Sequence, residues 1–540
     1  MKTFVRVLSL LLVCLMLGAT LVACTTEKVL VEGTGKWVTK TDGAGAVDGY
    51  DERGFELDNL AEKDLNYLGA EVNMLYWSDV ENPEFDVERI TGDNVSDAIF
   101  DRNGNIERRL NVDLKFDSTP GNVNNRARFV QKVQNVTSSG GGDYDLIATY
   151  SRTAGMLAIQ GYLIDLNTIQ NNHLELEKPW WPPQMIDTVS FGGSLYMLSG
   201  DASTNVLHQM HVLYFNKDQF SLKYDAQARA AGFEGNADVS PACEMIYEYA
   251  YHYDQEKHPY GGQWTNEKLI SYTSNMYDDL NGAAAADGGR YDQDDYYGFC
   301  TTAYHVDAFY TGANLRLVDQ VEDKRVLIIS PDYGSAKTVS LINQLGAWLP
   351  TNTCIVQRGD SVPFTKPFEK GNALFITARA HFAEHNLLKV AFDYGILPSA
   401  KYDNEQVNYY TCMGNPFTLY GIFHGLDDMG DRAETLKEMT AVLECWASET
   451  YRLVTPEVFE VNMQLKYADT QYETDMFEYA RSAIVFDLGR IFTNDLSFMS
   501  ELPSHAACNG ASWSSTYGAY IVSLETKLEK IVESFHFDNK

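Results

Sequence analysis

The chain has 540 residues, of which 45% are hydrophobic and 22% charged, and its formal net charge is −33 at pH 7. This length predicts two or more domains or lobes, and the composition is that of an ordinary globular protein. An acidic surplus of this size repels polyanions, which argues against nucleic acid and anionic lipid as partners.

The N-terminal residues have the pattern of an export signal. Lys2 and Arg6 form a short basic region, an apolar run follows, and Cys24 comes directly after Leu21-Val-Ala. Small residues before a cleavage point are typical of a signal peptide, and the Leu-x-Ala-Cys pattern resembles the bacterial lipobox. The resemblance implies a signal peptide at 1–23 and acyl chains (palmitate) on Cys24 that hold the chain on the outer face of the cell membrane. The alternative is an uncleaved transmembrane anchor, but the run is shorter than the roughly 20 residues that a spanning helix needs.

Residues 24–65 have the composition of a spacer. Gly, Thr, Asp and Glu dominate the segment, so we predict a lipid-anchored, flexible arm in front of the folded body. Six cysteines follow, and they contain no Cys-x-x-Cys pair, which argues against a zinc ribbon. An exported chain permits disulfides, and the sequence leaves open whether any of the six pair or remain buried thiols.

The body of the chain alternates strand-like and helix-like segments. In chain order they are predicted at 71–77, 94–110, 111–116, 125–136, 145–149 and 151–160. This rhythm predicts βαβ units and a largely parallel sheet. Ligands gather at the carboxyl ends of such strands, which here are Trp77-Ser-Asp79 and Tyr150-Ser-Arg152. Towards the C-terminus the apolar spacing predicts helices at 435–450, 456–465, 473–484 and 514–533.

Several short motifs occur in a fixed order over residues 66–540. They are Thr91-Gly-Asp-Asn leading to Leu110-Asn-Val; Tyr144-Asp-Leu-Ile, Gly161-Tyr-Leu-Ile-Asp-Leu and Pro179-Trp-Trp; Gly193-Ser-Leu-Tyr, Gly200-Asp and Tyr214-Phe-Asn-Lys; and Gly371-Asn-Ala-Leu-Phe, Asp393-Tyr-Gly-Ile-Leu-Pro and Lys401. Together they resemble the extracellular solute-binding proteins of ABC importers (family 1, carbohydrate type), in particular the long lipoproteins of Gram-positive gut bacteria.

The resemblance implies an α/β architecture, the two-lobed periplasmic-binding-protein-like (type II) fold, with a ligand cleft between the lobes. By the family's chain order, residues 66–207 plus 376–425 form lobe 1, and residues 208–375 plus 426–540 form lobe 2. Closing such lobes around a ligand is a hinge motion.

Candidate site residues follow from the strand ends and from the resemblance. Sugars present C–H faces that stack on aromatic rings and hydroxyls that pair with carboxylate, amide and guanidinium groups. The predicted wall residues are Trp77, Asp79, Tyr150, Arg152 and Asp201 in lobe 1, and Tyr304, His305 and Phe309 in lobe 2. The alternative for each aromatic residue is core packing, and Asp201 fits a turn cap equally well. For Trp180 and Trp181, which mark the family, we favour a structural role.

The function that the resemblance implies is that of a non-enzymatic receptor. The receptor would bind a sugar or oligosaccharide outside the cell and deliver it to the permease subunits of an ABC transporter, acting as a monomer with no firm cofactor. The alternative is a surface-anchored hydrolase. His381-Phe-Ala-Glu-His385 has the form of an inverted zinc-protease motif, in which the two histidines share one helix face and Glu384 acts as base. Paired carboxylates of a glycosidase also stay open in so acidic a chain.

The segment from Asp278 to Asp295 is rich in oxygen ligands. The family that the chain resembles often carries a compact loop here that is similar to an EF-hand calcium loop. In this chain four alanines separate Asp279-Leu-Asn-Gly from Asp287-Gly, so the ligand spacing is lost. Calcium binding and a plain solvated loop both stay open, and we favour the solvated loop.

Overall fold

The structure, a computed structural model, describes residues 28–30, 37–39, 49–282, 292–321, 326–358, 363–425, 432–466 and 470–535. The predicted signal peptide and Cys24 lie outside these residues, so the lipid anchor stays a prediction. Within the described ranges, no helix combines the length and apolar character needed to cross a membrane.

The strands are short, and most of them are buried. In chain order they are β1 Lys28–Leu30, β2 Trp37–Thr39, β3 Ala70–Trp77, β4 Val112–Thr119, β5 Leu146–Tyr150, β6 Ser190–Phe191, β7 Ser194–Leu195, β8 His211–Asn216, β9 Tyr277–Asp278, β10 Tyr296–Thr302, β11 Val318–Val321, β12 Val326–Ile329, β13 Cys354–Gln357, β14 Ala373–Arg379, β15 Tyr394–Pro398, β16 Thr411–Cys412, β17 Thr418–Ile422 and β18 Ile484–Val485.

The α-helices cover the faces of the sheets and make up much of the C-terminal part. They are α1 Asn94–Leu110, α2 Arg126–Ser138, α3 Ser151–Ile159, α4 Pro183–Val189, α5 Asn205–His208, α6 Lys217–Ala230, α7 Pro241–Ala250, α8 Asn266–Thr273, α9 Asp307–Gly312, α10 Ala336–Trp348, α11 Thr365–Glu369, α12 Phe382–His385, α13 Arg432–Glu449, α14 Gln471–Ser482, α15 Leu488–Ile491, α16 Leu502–Asn509 and α17 Trp513–Ser534. Two π-helical segments, Thr450–Val454 and Glu457–Lys466, follow α13.

Two main sheets define two lobes. In lobe 1 the strand order is β17-β5-β3-β4, with β3 parallel to β4 and β5, and β17 antiparallel to β5. In lobe 2 the order is β13-β10-β14-β8-β15, with β10 parallel to β13 and β14, and β8 antiparallel to β14 and β15. Each of these strand orders therefore holds parallel strands and one antiparallel strand that enters from the other lobe. In lobe 2 the two-residue strand β9 also pairs antiparallel with β10. The predicted two-lobed α/β architecture is confirmed.

Helix α1 shows why local prediction succeeded. Its predicted bounds of 94–110 are confirmed, because both ends carry stop signals in the sequence. The Asp93 carboxylate accepts a hydrogen bond from the backbone N–H of Ser96 at the start, and Asn111 ends the helix in the left-handed region at φ +51°. Between them the apolar side chains of Ile99 and Ile106 are fully buried against the sheet.

The predicted lobe boundaries are wrong in two places. Strands β14 and β15, most of which falls in the 376–425 segment assigned to lobe 1, both pair with β8 in the sheet of lobe 2. Helix α13, assigned to lobe 2, packs on α1 of lobe 1. The local sequence of such a buried apolar segment does not predict which sheet or helix it contacts, because the contact joins residues that are far apart in the chain.

The predicted flexible spacer ends earlier than residue 65. The Asp58 carboxylate, 6% exposed, lies 2.9 Å from Nη1 of Arg109 on α1. The same guanidinium lies 2.6 Å from Glu449 at the end of α13, and Glu449 also pairs with Arg452. This buried cluster of Asp58, Arg109, Glu449 and Arg452 ties the N-terminal segment to two helices of lobe 1. The end of the predicted spacer is therefore part of the folded body.

The paired tryptophans have the structural role favoured from the sequence. The indole N–H groups of Trp180 and Trp181 donate to the two carboxylate oxygens of Glu444 at 3.0 and 2.8 Å, and both rings are completely buried. The backbone N–H of Glu175 donates to the same carboxylate at 3.1 Å. These three bonds attach the 175–181 segment to α13 in the core of lobe 1. The cysteines at 243, 300, 354, 412, 445 and 508 are free and buried.

The buried cluster makes stability depend on pH. Burial alone would raise the pKa of Asp58, but the charge and hydrogen bonds of Arg109, with Arg452 nearby, lower the pKa from 3.8 to about 2. A lowered pKa stabilises the fold above the unfolded-state value, and this contribution is lost as pH falls from about 4 towards 2. We expect wild type to lose about 2 kcal/mol more unfolding free energy over that range than Asp58→Asn does, measured by urea titration. Equal losses would contradict this prediction.

Candidate ligand-binding cleft

A cavity of about 470 Å³ lies between the lobes at the carboxyl ends of the parallel strands. Trp77 ends β3 and Tyr150 ends β5 on the lobe 1 side. Arg379 ends β14 on the lobe 2 side, and Tyr304 follows the end of β10. The cavity therefore lies beside the two strand ends, at Trp77 and Tyr150, where the sequence predicts that a ligand gathers.

Five of the eight predicted wall residues line this cavity. They are Trp77, Asp79, Tyr150, Arg152 and Tyr304. The other three, Asp201, His305 and Phe309, do not line it.

Trp77 and Tyr150 form the inner part of the lobe 1 wall. They are 0% and 2% exposed, and their ring centroids lie 5.6 Å apart. The indole N–H of Trp77 donates to Oγ1 of Thr418 at 2.9 Å, so its polar atom already has a partner within the protein. Burial raises the pKa of Tyr150, which keeps its hydroxyl protonated. Both side chains line the cavity but are almost completely covered in this arrangement of the lobes.

The Asp79 carboxylate organises a loop of the wall. It accepts hydrogen bonds from the backbone N–H groups of Gly121 and Asn122 at 2.7 and 3.0 Å, and from the side-chain amide of Asn125 at 2.9 Å. This loop places Asn122, Val123 and Asn124 on the cavity wall. Asp79 thus shapes the site through its neighbours.

Arg152 joins the two lobes across the cavity. Its guanidinium, on α3 of lobe 1, lies 2.9 Å from the Glu501 carboxylate of lobe 2, with 5% and 14% of the two side chains exposed. When the Asn415 amide is oriented with its oxygen towards the guanidinium, that oxygen accepts from Nε at 3.1 Å and from Nη2 at 2.7 Å. A second pair across the cleft joins Arg379 to Glu81 at 3.3 Å.

A third arginine of the wall is paired within lobe 2. Arg490 Nη1 lies 2.9 Å from the Asp307 carboxylate, which also accepts from the Ser504 hydroxyl. Burial raises the pKa of Asp307, against the opposing effect of the Arg490 charge. Each of the three cavity arginines therefore faces a carboxylate of the protein.

The three predicted residues outside the cavity have structural partners. The Asp201 carboxylate accepts from the Thr455 hydroxyl at 2.8 Å, a contact between distant parts of the chain and not the turn cap considered from the sequence. His305 lies behind the wall, its Nδ1 at 3.0 Å from the Thr377 carbonyl oxygen. Phe309 packs against Phe299 and Trp348 in the core of lobe 2.

The sequence did not predict most of the lobe 2 wall, nor Glu81 of lobe 1. The missed charged and aromatic residues are Glu81, His211, Asp307, Arg379, Arg490, Phe498 and Glu501. The apolar segment after Gly371 forms a strand that ends at Arg379, so the expectation that ligands gather at strand ends also predicts Arg379. Phe498 carries no such signal: it has a left-handed backbone at φ +57°, rare for a bulky residue, and its ring is 44% exposed at the cavity.

The His381–His385 motif lies at another contact between the lobes. His381 precedes the four-residue helix α12, and the two rings are 5.2 Å apart, so they share a face as predicted. Nε2 of His385, however, contacts the Asn82 side-chain oxygen at 3.0 Å, and Nε2 of His381 lies 3.8 Å from Glu81. Over the described ranges, no three His, Cys, Asp or Glu side chains are grouped so that they could hold a metal ion. The zinc-hydrolase alternative gains no support.

The acidic segment 278–295 is described only at its two ends, because 283–291 lie outside the described residues. At those ends the carboxylates have protein donors. Asp279 accepts from the N–H of Gly282 at 2.6 Å, and Asp292 accepts from the Asn281 amide at 2.9 Å. Asp295 accepts from the Tyr277 hydroxyl at 2.8 Å. These bonds fit the solvated-loop interpretation favoured from the sequence.

Comparisons with known proteins give structural neighbours and no sequence relatives. No family model and no curated protein matches. A cyclic α-maltosyl-1,6-maltose binding protein from Arthrobacter globiformis is 11% identical, with a TM-score of 0.49 over 85% of this chain and 99% of that chain. A family 1 extracellular solute-binding protein from Bifidobacterium longum subsp. infantis is 10% identical, with a TM-score of 0.49 over 85% and 99%. A cyclo/maltodextrin-binding protein complexed with maltotetraose is 11% identical, with a TM-score of 0.47 over 87% and 98%.

The Arg152–Glu501 pair gives a testable coupling between the lobes. Because both side chains are largely shielded from water, we expect a coupling energy of roughly 1 to 3 kcal/mol in a double-mutant cycle of Arg152→Met and Glu501→Gln. The measurement is urea unfolding of the ligand-free protein. Glu405→Gln, at an exposed acid outside the cleft, serves as control and should show no coupling with Arg152→Met. Equal values for the two cycles would contradict the prediction.

Proposed function

We propose that this chain is the substrate-binding receptor of an ABC transporter and captures a sugar or oligosaccharide at the cell surface for import. The observation that carries the proposal is the cavity whose walls come from two separate lobes. A site divided in this way is completed only when the lobes meet, so ligand binding and lobe closure are coupled. Capture and release through closure are what a transport receptor requires.

The connections between the lobes fit a hinge. The chain passes from lobe 1 to lobe 2 before β8, returns before β17, and passes to lobe 2 again after α13. The first two passages lie side by side, joined by a bridge between Met210 and Met413. A hinge of a few neighbouring connecting residues allows two rigid lobes to rotate. The ion pairs Arg152–Glu501 and Arg379–Glu81 cross the cleft and favour the closed arrangement.

The surface of the cavity fits a neutral, polar ligand with apolar faces. Tyr304 and Phe498 of lobe 2 line the cavity and are 58% and 44% exposed, whereas Trp77 and Tyr150 of the lobe 1 wall are 0% and 2% exposed. Aromatic rings of this kind stack on the C–H faces of sugars. The positive charges of the wall arginines are already compensated by carboxylates of the protein, so a charged ligand would add a charge that has no partner.

We place the receptor on the outer face of the cell membrane, held by acyl chains on Cys24 and working as a monomer beside its permease. The support is the Leu-x-Ala-Cys pattern after a basic and apolar leader. One acyl chain alone binds a membrane weakly, so stable attachment requires the multiple chains of a lipoprotein. The spacer after Cys24 then allows the lobes to approach a permease in the same membrane.

The sugar-binding proposal is tested by thermal shift and calorimetry with maltotriose, xylotriose and lacto-N-biose, which represent starch, plant and mucin oligosaccharides. At saturation we expect at least one of them to raise Tm by several degrees, because it binds the folded state only. Chromatography of the mixture should show no product. Hydrolysis of the stabilising sugar would favour the hydrolase alternative, and an unchanged Tm with all three would count against the proposal.

Tyr304 provides a test of the stacking surface that spares the core. Tyr304→Ala removes an exposed ring at the cavity, so we expect the affinity for the stabilising sugar to fall about tenfold with little change in Tm. Tyr253→Ala, whose ring is 67% exposed away from the cavity, is the matched control and should bind like wild type. Equal affinities of both variants would remove Tyr304 from the site.

Membrane attachment is tested separately in cells. We expect wild type to be found in the membrane fraction and Cys24→Ala to be released into the medium or to retain its signal segment, because the acylated residue is missing. The measurement is fractionation followed by mass spectrometry of the N-terminal peptide. An unmodified Cys24 in membrane-bound protein would contradict the lipid anchor.

A further inference from the structure

Among the residues that the structure describes, three polar atoms of the cavity wall lack a hydrogen-bond partner, and the first is on His211. His211, the first residue of β8, is 1% exposed and lines the cavity. Its Nδ1 lies 3.1 Å from the carbonyl oxygen of Cys412. A carbonyl oxygen only accepts, so Nδ1 carries the proton and Nε2 carries the lone pair. Nε2 has no hydrogen-bond partner among the described residues.

The imidazole remains neutral, which preserves that lone pair. Burial, followed by the neighbouring His305 and the positive charges of Arg379 and Arg490, lowers the pKa of His211 well below its ordinary value. The ring also packs edge to face against His305 at 4.9 Å, which holds its orientation. The wall therefore presents a fixed hydrogen-bond acceptor.

Two donors without partners lie on the same wall. Arg379 stands directly opposite His211 in the strand register of β14 and β8, and Arg490 lines the same cavity. Nε of each guanidinium has no hydrogen-bond partner in the described part of the chain, although Nη1 of each is paired with a carboxylate. Buried polar atoms are rarely left unpaired, and those that are call for an explanation.

We propose that His211 Nε2, with the Arg379 and Arg490 guanidiniums, binds a hydroxyl group of a neutral sugar and discriminates against acidic sugars. This inference rests on the proposed receptor function and names the chemistry of its ligand. A hydroxyl donates its proton to Nε2 and accepts from a guanidinium N–H, so one group satisfies both kinds of unpaired atom.

Other ligand groups fit this wall less well. A carboxylate has no proton to donate, and its lone pairs would face the lone pair of His211. Its charge gains little from the guanidiniums, because Glu81 and Asp307 already pair with them. An ammonium group donates to Nε2 but meets the guanidinium charges. Nε2 is buried in the present structure, so the proposal requires that the hydroxyl reach it when the lobes part and be enclosed when they close.

Two variants of His211 separate its fold contact from its cleft contact. In His211→Asn the amide N–H takes the place of Nδ1 and keeps the bond to the Cys412 carbonyl, but nothing replaces Nε2. In His211→Gln the longer side chain brings an amide oxygen to the place of Nε2. We expect the Asn variant to weaken binding of the tightest of maltotriose, xylotriose and lacto-N-biose about tenfold, and the Gln variant to stay within about threefold of wild type. Asn and Gln variants of equal affinity would overturn the assignment of Nε2.

The same titrations include digalacturonic acid, an acidic sugar. We expect it not to displace the neutral sugar at a hundredfold excess. If the acid binds wild type while none of the neutral sugars does, the hydroxyl assignment is overturned and the receptor function stands. If no sugar binds, both proposals fail.

A measurement on the wild-type protein avoids any dependence on the folding of variants. With ¹⁵N-labelled histidine, accepting a hydrogen bond moves the Nε2 resonance of His211 upfield when the neutral sugar saturates the site. His505, which is exposed away from the cavity, is the internal reference and should not move. An unmoved His211 resonance would overturn the proposal.

Discussion

The rest of the cleft depends on two strands, β8 and β17, which arrive from the opposite lobe and pair antiparallel with a strand of the sheet that they join. The parallel strands of each lobe end at one edge, and a strand that arrives from the other lobe runs against them, so its first residue lies beside their last. In lobe 2 this puts His211 opposite Arg379, and in lobe 1 it puts Thr418 opposite Tyr150. The hinge is therefore next to the strand ends in both lobes, and the connecting residues become part of the site. Thr418 shows this directly, because its hydroxyl oxygen accepts from the indole of Trp77.

Charge is distributed in the cleft differently from the rest of the molecule. The chain carries a formal charge of −33, yet three arginines line one cavity, each with a carboxylate beside it. Two of these pairs cross from one lobe to the other. Breaking a shielded ion pair leaves an uncompensated charge. A neutral ligand that enters the space between intact pairs leaves each guanidinium charge compensated by its carboxylate. The pairs can thus position the lobes and fix guanidinium N–H groups for a ligand without attracting anions. Shielded pairs such as Arg152–Glu501 are better evidence for geometry than for stability.

The sequence predicted local structure well because local structure has local causes. Helix α1 carries its capping residues at both ends, and the βαβ rhythm of lobe 1 follows from apolar spacing alone. The same rule of strand ends placed Trp77, Asp79, Tyr150 and Arg152 at the cavity. It could not separate Tyr304, which lines the cavity, from Phe309, which lies in the core five residues later. It also could not find Arg490 or Glu501, which reach the site from C-terminal helices, or assign β14 and β15 to lobe 2, because these contacts join residues more than a hundred positions apart.

Asp79 and His211 show what separates a residue that builds a site from one that binds a ligand. Both line the cavity, and both are polar residues at a strand end. The Asp79 carboxylate already accepts hydrogen bonds from three donors of the 121–125 loop, so a ligand would have to compete with these donors for it. Nδ1 of His211 donates a hydrogen bond to the Cys412 carbonyl oxygen, which fixes the ring. Nε2 has no hydrogen-bond partner in the described part of the chain. A position in the wall is shared by both residues, but only the second has hydrogen-bonding capacity left for a ligand. The donors and acceptors of a cleft that have no partner in the protein therefore say more about its ligand than a list of the residues that surround it.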